Sequence, residues 1–172
     1  MLTRRHIVRA TLVASAAGLA CRPTWAQELA TPKSRPILTI DGNLSHRNAP
    51  DSARFDLDML MALPQGRFEG DTPWTNGKLT LTGPLASAVF DVAGASGSRL
   101  KILAVNDHMV DATMANFRGL GAILATHRDG RAMTPRDKGP IWVMYPFDRN
   151  TALRVEPYLN QCAWQVTKIT VT

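Results

Sequence analysis

Cysteine is nearly missing from this sequence: Cys21 and Cys162 are the whole supply. Cys21 falls in an N-terminal export signal, so the processed chain keeps Cys162 alone. One thiol cannot close an internal disulfide, and the fold must hold by its apolar core. Paired metal ligands are missing too. His46, His108 and His127 lie far apart with no ligand spacing, which leaves a zinc site unsupported. There is no Gly-x-Ser-x-Gly elbow, so the serine-hydrolase arrangement built on it is excluded. Gly119-Leu120-Gly121 precedes an apolar run, whereas a dinucleotide loop follows one, and it reads as a turn. No basic stripe is interleaved with aromatics, and nucleic acid is excluded as a partner. The chain has no internal repeat, no low-complexity segment and no apolar run near the ~20 residues that span a bilayer.

The N-terminus carries the clearest positive signal. Arg4, Arg5 and Arg9 lead into a small-residue apolar run over residues 10–20, followed by Pro23, Thr24, Trp25 and Ala26. Basic region, apolar region and small-residue cleavage site are the order of a secretory signal peptide over residues 1–26. Thr3-Arg4-Arg5-His6-Ile7-Val8-Arg9 also resembles the twin-arginine export signal, so the general and twin-arginine routes both stay open. Gly18 stands where a lipoprotein signal has leucine, which argues against a lipid on Cys21. The expected location is the periplasm. Removing 26 of the 172 residues leaves 146, one ordinary domain. The formal charge of +6 falls to +2, because the signal holds Arg4, Arg5, Arg9 and Arg22 and no acid.

Past the signal, residues 27–36 read as a flexible lead-in to a domain over 37–172. Ile37-Leu38-Thr39-Ile40 predicts a strand turning at Asp41-Gly42. Asp51 or Ser52 would cap a short helix bearing Phe55, Met59, Leu60 and Leu63, stopped by Pro64. Residues 78–82 alternate as a strand with Leu79 and Leu81 on one face. Pro84 would open a helix with Leu85, Ala88, Val89 and Val92 inward, ended by Gly94. Leu100, Ile102 and Ala104 mark a strand ending at Asn106-Asp107-His108. Residues 122–126 form an apolar run before a hairpin-type turn at Asp129-Gly130. Residues 141–145 and 164–171 read as further strands. In the last, Trp164 and Val166 have one parity and Ile169 and Val171 the other. A bulge at Thr167-Lys168 would bring them to one face. Short helices among many strands make the class α+β.

Several segments in order carry a family resemblance. They are Leu103-Ala104-Val105-Asn106-Asp107-His108, then Ile123-Leu124-Ala125, then Asp129-Gly130. After them come Arg136-Asp137-Lys138-Gly139-Pro140-Ile141-Trp142-Val143-Met144-Tyr145-Pro146 and Trp164-Gln165-Val166-Thr167-Lys168-Ile169-Thr170-Val171. In the first half, Leu38-Thr39-Ile40-Asp41-Gly42 and Trp74 ahead of residues 79–85 fit as well. The whole resembles the molybdopterin-binding oxidoreductase domain of the sulfite oxidase type, in its short, exported, single-domain branch. The resemblance implies mixed β-sheets with few short helices, whose loops cradle a pterin. It implies molybdopterin as cofactor, with Asn106, Asp107, His108, Arg136, Lys138 and Gly139 as the residues that bind it. Arg136 and Lys138 would meet the pterin phosphate, and Gly139 would let backbone approach the ligand. Read without the resemblance, Asn106-Asp107 is equally an Asx-type turn and residues 136–138 a solvated loop. Trp142 and Trp164 read as core.

The sequence also departs from the family. Its active members bind molybdenum through a cysteine thiolate in the stretch that reads here Phe68-Glu69-Gly70-Asp71-Thr72-Pro73-Trp74, where there is none. Asn106-Asp107-His108 replaces an Asp-Gly-Tyr-like segment, and Trp142 stands for an arginine. Cys162 lies outside the ligand segment and is expected not to bind molybdenum. The leading expectation is an exported domain that binds a pterin or a related small anionic ligand. One alternative is a molybdoenzyme with an unusual ligand set. The other is a cofactor-free binding or sensory module serving a membrane-bound redox or signalling partner.

Overall fold

A computed structural model of the chain describes residues 29–172; the expected signal peptide lies outside the described residues. The class is mixed α+β, with several sheets and few short helices. Among the described residues, no helix is long and apolar enough to cross a membrane.

The central sheet joins the two ends of the domain. Strand β1 (Leu38–Gly42) runs parallel to the last strand, β11 (Val166–Val171), with Ile40 opposite Ile169. On the other edge of β1 lies β2 (Ser52–Phe55), antiparallel. Beyond β11 lie β5 (Arg99–Ala104) and β6 (Met109–Thr113), giving the order β2-β1-β11-β5-β6. Ile40, Ile102 and Ile169 are fully buried, so one face of this sheet forms the core. A second sheet has the order β3-β4-β8-β9, from β3 (Gln65–Asp71), β4 (Lys78–Pro84), β8 (His127–Arg128) and β9 (Arg131–Ala132). Asp129 and Gly130 turn its last hairpin, both at positive φ, as an Asp-Gly pair favours. Strands β7 (Ile123–Ala125) and β10 (Trp142–Met144) pair between them, buried throughout.

The final strand contains the bulge. Val166 faces Ala104 and Lys168 faces Leu103, so Thr167 is the extra residue. Val166, Ile169 and Val171 are all buried while Thr167, Lys168 and Thr170 are half-buried. Trp164 and Gln165 stand before the strand rather than in it, because Gln165 takes a left-handed φ of 56°.

The first helix begins later than the sequence pattern predicts. Ser52 and its neighbours are strand, since Ala53 and Phe55 bury against β1 as an edge pair. The cap of α1 (Leu57–Met61) is Asp56, whose carboxylate accepts from Met59 N at 2.9 Å. It also accepts from Lys33 N at 2.7 Å and Ser34 N at 3.0 Å. Residues 29–36, expected to be a flexible lead-in, carry no helix or strand. They are nonetheless tied to the body by these bonds and by buried Leu29. Pro84 ends β4 instead of opening α2 (Ala86–Val92), whose cap residue is Leu85. Gly94 follows that helix at φ 59°, as expected for its end. A third helix, α3 (Met114–Gly119), is capped by the Thr113 hydroxyl.

Candidate functional site

The β5–β6 hairpin brings the first sequence-predicted residues together. Ala104 N donates to His108 O at 3.0 Å and Asp107 N to Ala104 O at 3.1 Å, closing a tight turn. Asp107 takes φ 60° at its tip, and Asn106 Oδ1 accepts weakly from His108 N at 3.4 Å. This is the Asx-type turn that the local sequence allows. Asn106, Asp107 and His108 are all exposed.

Asn106 and His108 line an open cleft of about 510 Å³. Trp74, Glu156, Asn160 and Trp164 line it as well. Trp74 is placed by the turn that follows β3: Thr72 Oγ1 accepts from Trp74 N at 3.3 Å and shares a 2.7 Å hydrogen bond with Thr75 Oγ1. Glu156 and Asn160 come from an irregular segment with two 3-10 turns (Thr151–Leu153 and Leu159–Gln161). Trp74, Trp142 and Trp164 pack edge to face, with ring centroids 6.0 to 6.4 Å apart. Trp142 is fully buried, while Trp74 and Trp164 stay half-exposed toward the cleft. The sequence reading of Trp142 as core holds; Trp164 serves both core and cleft.

Beneath them lies Cys162, 2% exposed. Its thiol donates to Tyr158 O at 3.4 Å, and its carbonyl accepts from Trp142 Nε1 at 3.2 Å. Burial pushes the thiol up to about 12, so it stays protonated at neutral pH. Behind it, Gln161 Oε1 accepts from Tyr145 OH at 2.5 Å and from Asn116 Nδ2 at 3.3 Å. Burial raises the Tyr145 phenol far above its ordinary value, and that hydroxyl remains a donor.

The second expected group lies elsewhere. Arg136 sits in an exposed 3-10 turn (Pro135–Asp137) and does not line the cleft. Thr134 and Asp137 cap that turn reciprocally, and the Thr134 hydroxyl holds the Asp137 carboxyl below its ordinary value. Lys138, at φ 71°, lays its ammonium over the ring of Trp164 at 4.1 Å and of Trp142 at 5.6 Å. It is thus one ring removed from the cleft. Gln165 links the two groups: its N donates to Lys138 O, and its carbonyl accepts from Val105 N, both at 2.9 Å. Gly139 is buried, and a Cβ there would stand 2.5 Å from Met133 O. Its close approach is therefore to the protein's own backbone.

A second groove, of about 520 Å³, is lined mainly by apolar side chains including Phe55, Met59, Leu63 and Val92. Its His46 already bonds Val92 O through Nδ1, and its Asp91 pairs with Arg118. Several polar side chains beside two indoles distinguish the first cleft as the candidate site. Glu156 and Asn160 were not singled out from the sequence, because two short 3-10 turns leave no periodic signal there. No protein-family model matches the chain, and no curated protein matches it.

Proposed function

We propose that this protein is an exported ligand-binding domain on a scaffold like that of the sulfite-oxidase-type molybdopterin domains. Its cleft at Trp74, Asn106, His108 and Trp164 would receive a planar heterocycle, of which a pterin is the member the resemblance suggests. One observation carries this reading. The stretch where the family places its molybdenum ligand, residues 68–74, and the segment that the resemblance marks for the pterin, residues 106–108, contribute Trp74, Asn106 and His108 to a single cleft. Its volume falls in the range of about 300–1,000 Å³ typical of small-molecule sites. Half-exposed indoles suit a flat ring system, and amide and imidazole groups suit its polar edge.

The residues present do not fit molybdenum. The stretch 68–74 has no thiol, and the Cys162 thiol is buried and protonated. Among the described residues, no three of His, Cys, Asp and Glu gather as a metal-binding group. A soft, redox-cycling metal lacks the thiolate that would hold it. We therefore propose binding and not oxygen-atom transfer, and no redox step is assigned to these residues.

Calorimetric titration of the exported protein with 6-hydroxymethylpterin tests the site. Asn106→Ala and His108→Ala, both on an exposed hairpin, should each weaken binding by about 1 kcal/mol. Arg136→Gln should leave it unchanged. Loss of binding in Arg136→Gln alone, with the two hairpin variants silent, would move the site to residues 135–138 and end this reading.

A further inference from the structure

We infer that the cleft prefers an uncharged or cationic planar heterocycle and disfavours its phosphate ester, with Glu156 as the group that senses charge. This rests on the cleft being the ligand site, and it reverses the anionic ligand expected from the sequence.

The lining carries the argument. Among the described residues, no lysine or arginine lines the cleft, and Glu156 is the one carboxylate that does. An adjoining hollow of about 360 Å³ shares His108, Val110 and Asn160 with it and adds Asp111, again without lysine or arginine. A ligand extending from one into the other would therefore pass two carboxylates. Lys101 stands across the ladder from Asp111 but lines neither hollow, and two further cations, Arg154 and Lys138, are engaged elsewhere. Arg154 binds Asp71 through both its carboxylate, at 2.9 Å, and its carbonyl, at 2.7 Å. Lys138 rests on Trp164 and Trp142, and would give up both ring contacts to reach a phosphate in the cleft. Phosphate sites are built from guanidinium forks, ammonium groups or the N-termini of helices. The lining offers amides, an imidazole and an acid instead. An anion in the cleft would meet like charge at Glu156 with no cation in the lining to offset it, whereas an ammonium would meet an opposite charge there.

Three probes of one ring system separate the possibilities: 6-hydroxymethylpterin, its phosphate ester and 6-aminomethylpterin. Each is titrated into the nitrogen-15-labelled exported protein at low salt, following the indole N–H signals of Trp74 and Trp164. The amine should bind most tightly and the phosphate ester least, with steps of about two- to fivefold, as expected for partly exposed charges. Salt should compress the series. Glu156→Gln, on an exposed residue, should bring the three affinities together, and Lys138→Gln should not weaken the phosphate ester. Tightest binding by the phosphate ester, or an order unchanged in Glu156→Gln, would overturn the charge preference while keeping the cleft. Indole signals that none of the three probes moves would instead dismiss the cleft as the site, and the inference with it.

Discussion

Asp56 shows how much one side chain can organise and how easily it is misread. Its buried carboxylate caps α1 and holds two backbone N–H groups of the N-terminal segment. The bond from Met59 N is the chief cause that holds its pKa below the ordinary value, against the opposing effect of burial. Asp56→Ala should cost about 2 kcal/mol in urea unfolding at neutral pH, through the lost cap and the unpaired donors. Because the folded pKa is depressed, the stabilisation is present above the unfolded value of about 4 and is lost as pH falls through the folded value. The gap between the wild type and Asp56→Asn should therefore narrow below about pH 4. A gap that widened in acid would contradict the assigned charge state. From the sequence, Asp51 and Ser52 were equally good caps. What decides for Asp56 is the pairing of Ala53 and Phe55 with β1, a tertiary fact that local pattern does not contain. At Gly139 the need for space is legible in the sequence, but the backbone that crowds it, at Met133, is not.

At the scale of elements, what faces the core was legible and what faces water was not. Leu79 with Leu81, and Leu100, Ile102 and Ala104, alternate strictly, and those strands form as read. The bulge in β11 followed from parity alone. In contrast, β3 carries glycines at 66 and 70 and buries one residue, Phe68, while β6 buries only Ala112. Neither leaves a periodic trace. The bulge yields a sharp comparison of deletions. Removing Thr167 straightens the ladder yet leaves Val166, Ile169 and Val171 facing inward. Removing Thr170 turns Val171 outward. The second deletion should cost about 1.5–3 kcal/mol more than the first in urea unfolding, the value of one buried aliphatic side chain. Equal costs would mean that Thr167 is not a tolerated insertion but a residue the ladder requires.

For the whole molecule, the parallel pairing of β1 with β11 brings the beginning and end of the domain into one sheet. The antiparallel pairing of β11 with β5 and the packing of Trp74 on Trp164 assemble the cleft from residues 73–74, 104–110 and 156–164. Their separation is why spacing alone does not reveal the cleft. Glu156 and Asn160 belong to an irregular stretch with no periodic pattern to read. Export is proposed on the signal at residues 1–26. The intact mass of the exported protein should correspond to a start near Gln27, which keeps Leu29 and the segment bonded to Asp56. A chain retaining Arg4 and Arg5 would count against that cleavage.

We propose a cleft, on a scaffold like that of the molybdopterin domains, that binds a ligand without holding the metal. The most direct measurement is the molybdenum content of protein exported by its own signal from molybdate-fed bacteria and purified without chelators. The expected result is molybdenum far below stoichiometric, with a Cys162→Ser variant no different. Stoichiometric molybdenum in the wild-type protein, lost in a folded Cys162→Ser variant, would rule out a metal-free cleft and make the buried thiol a ligand.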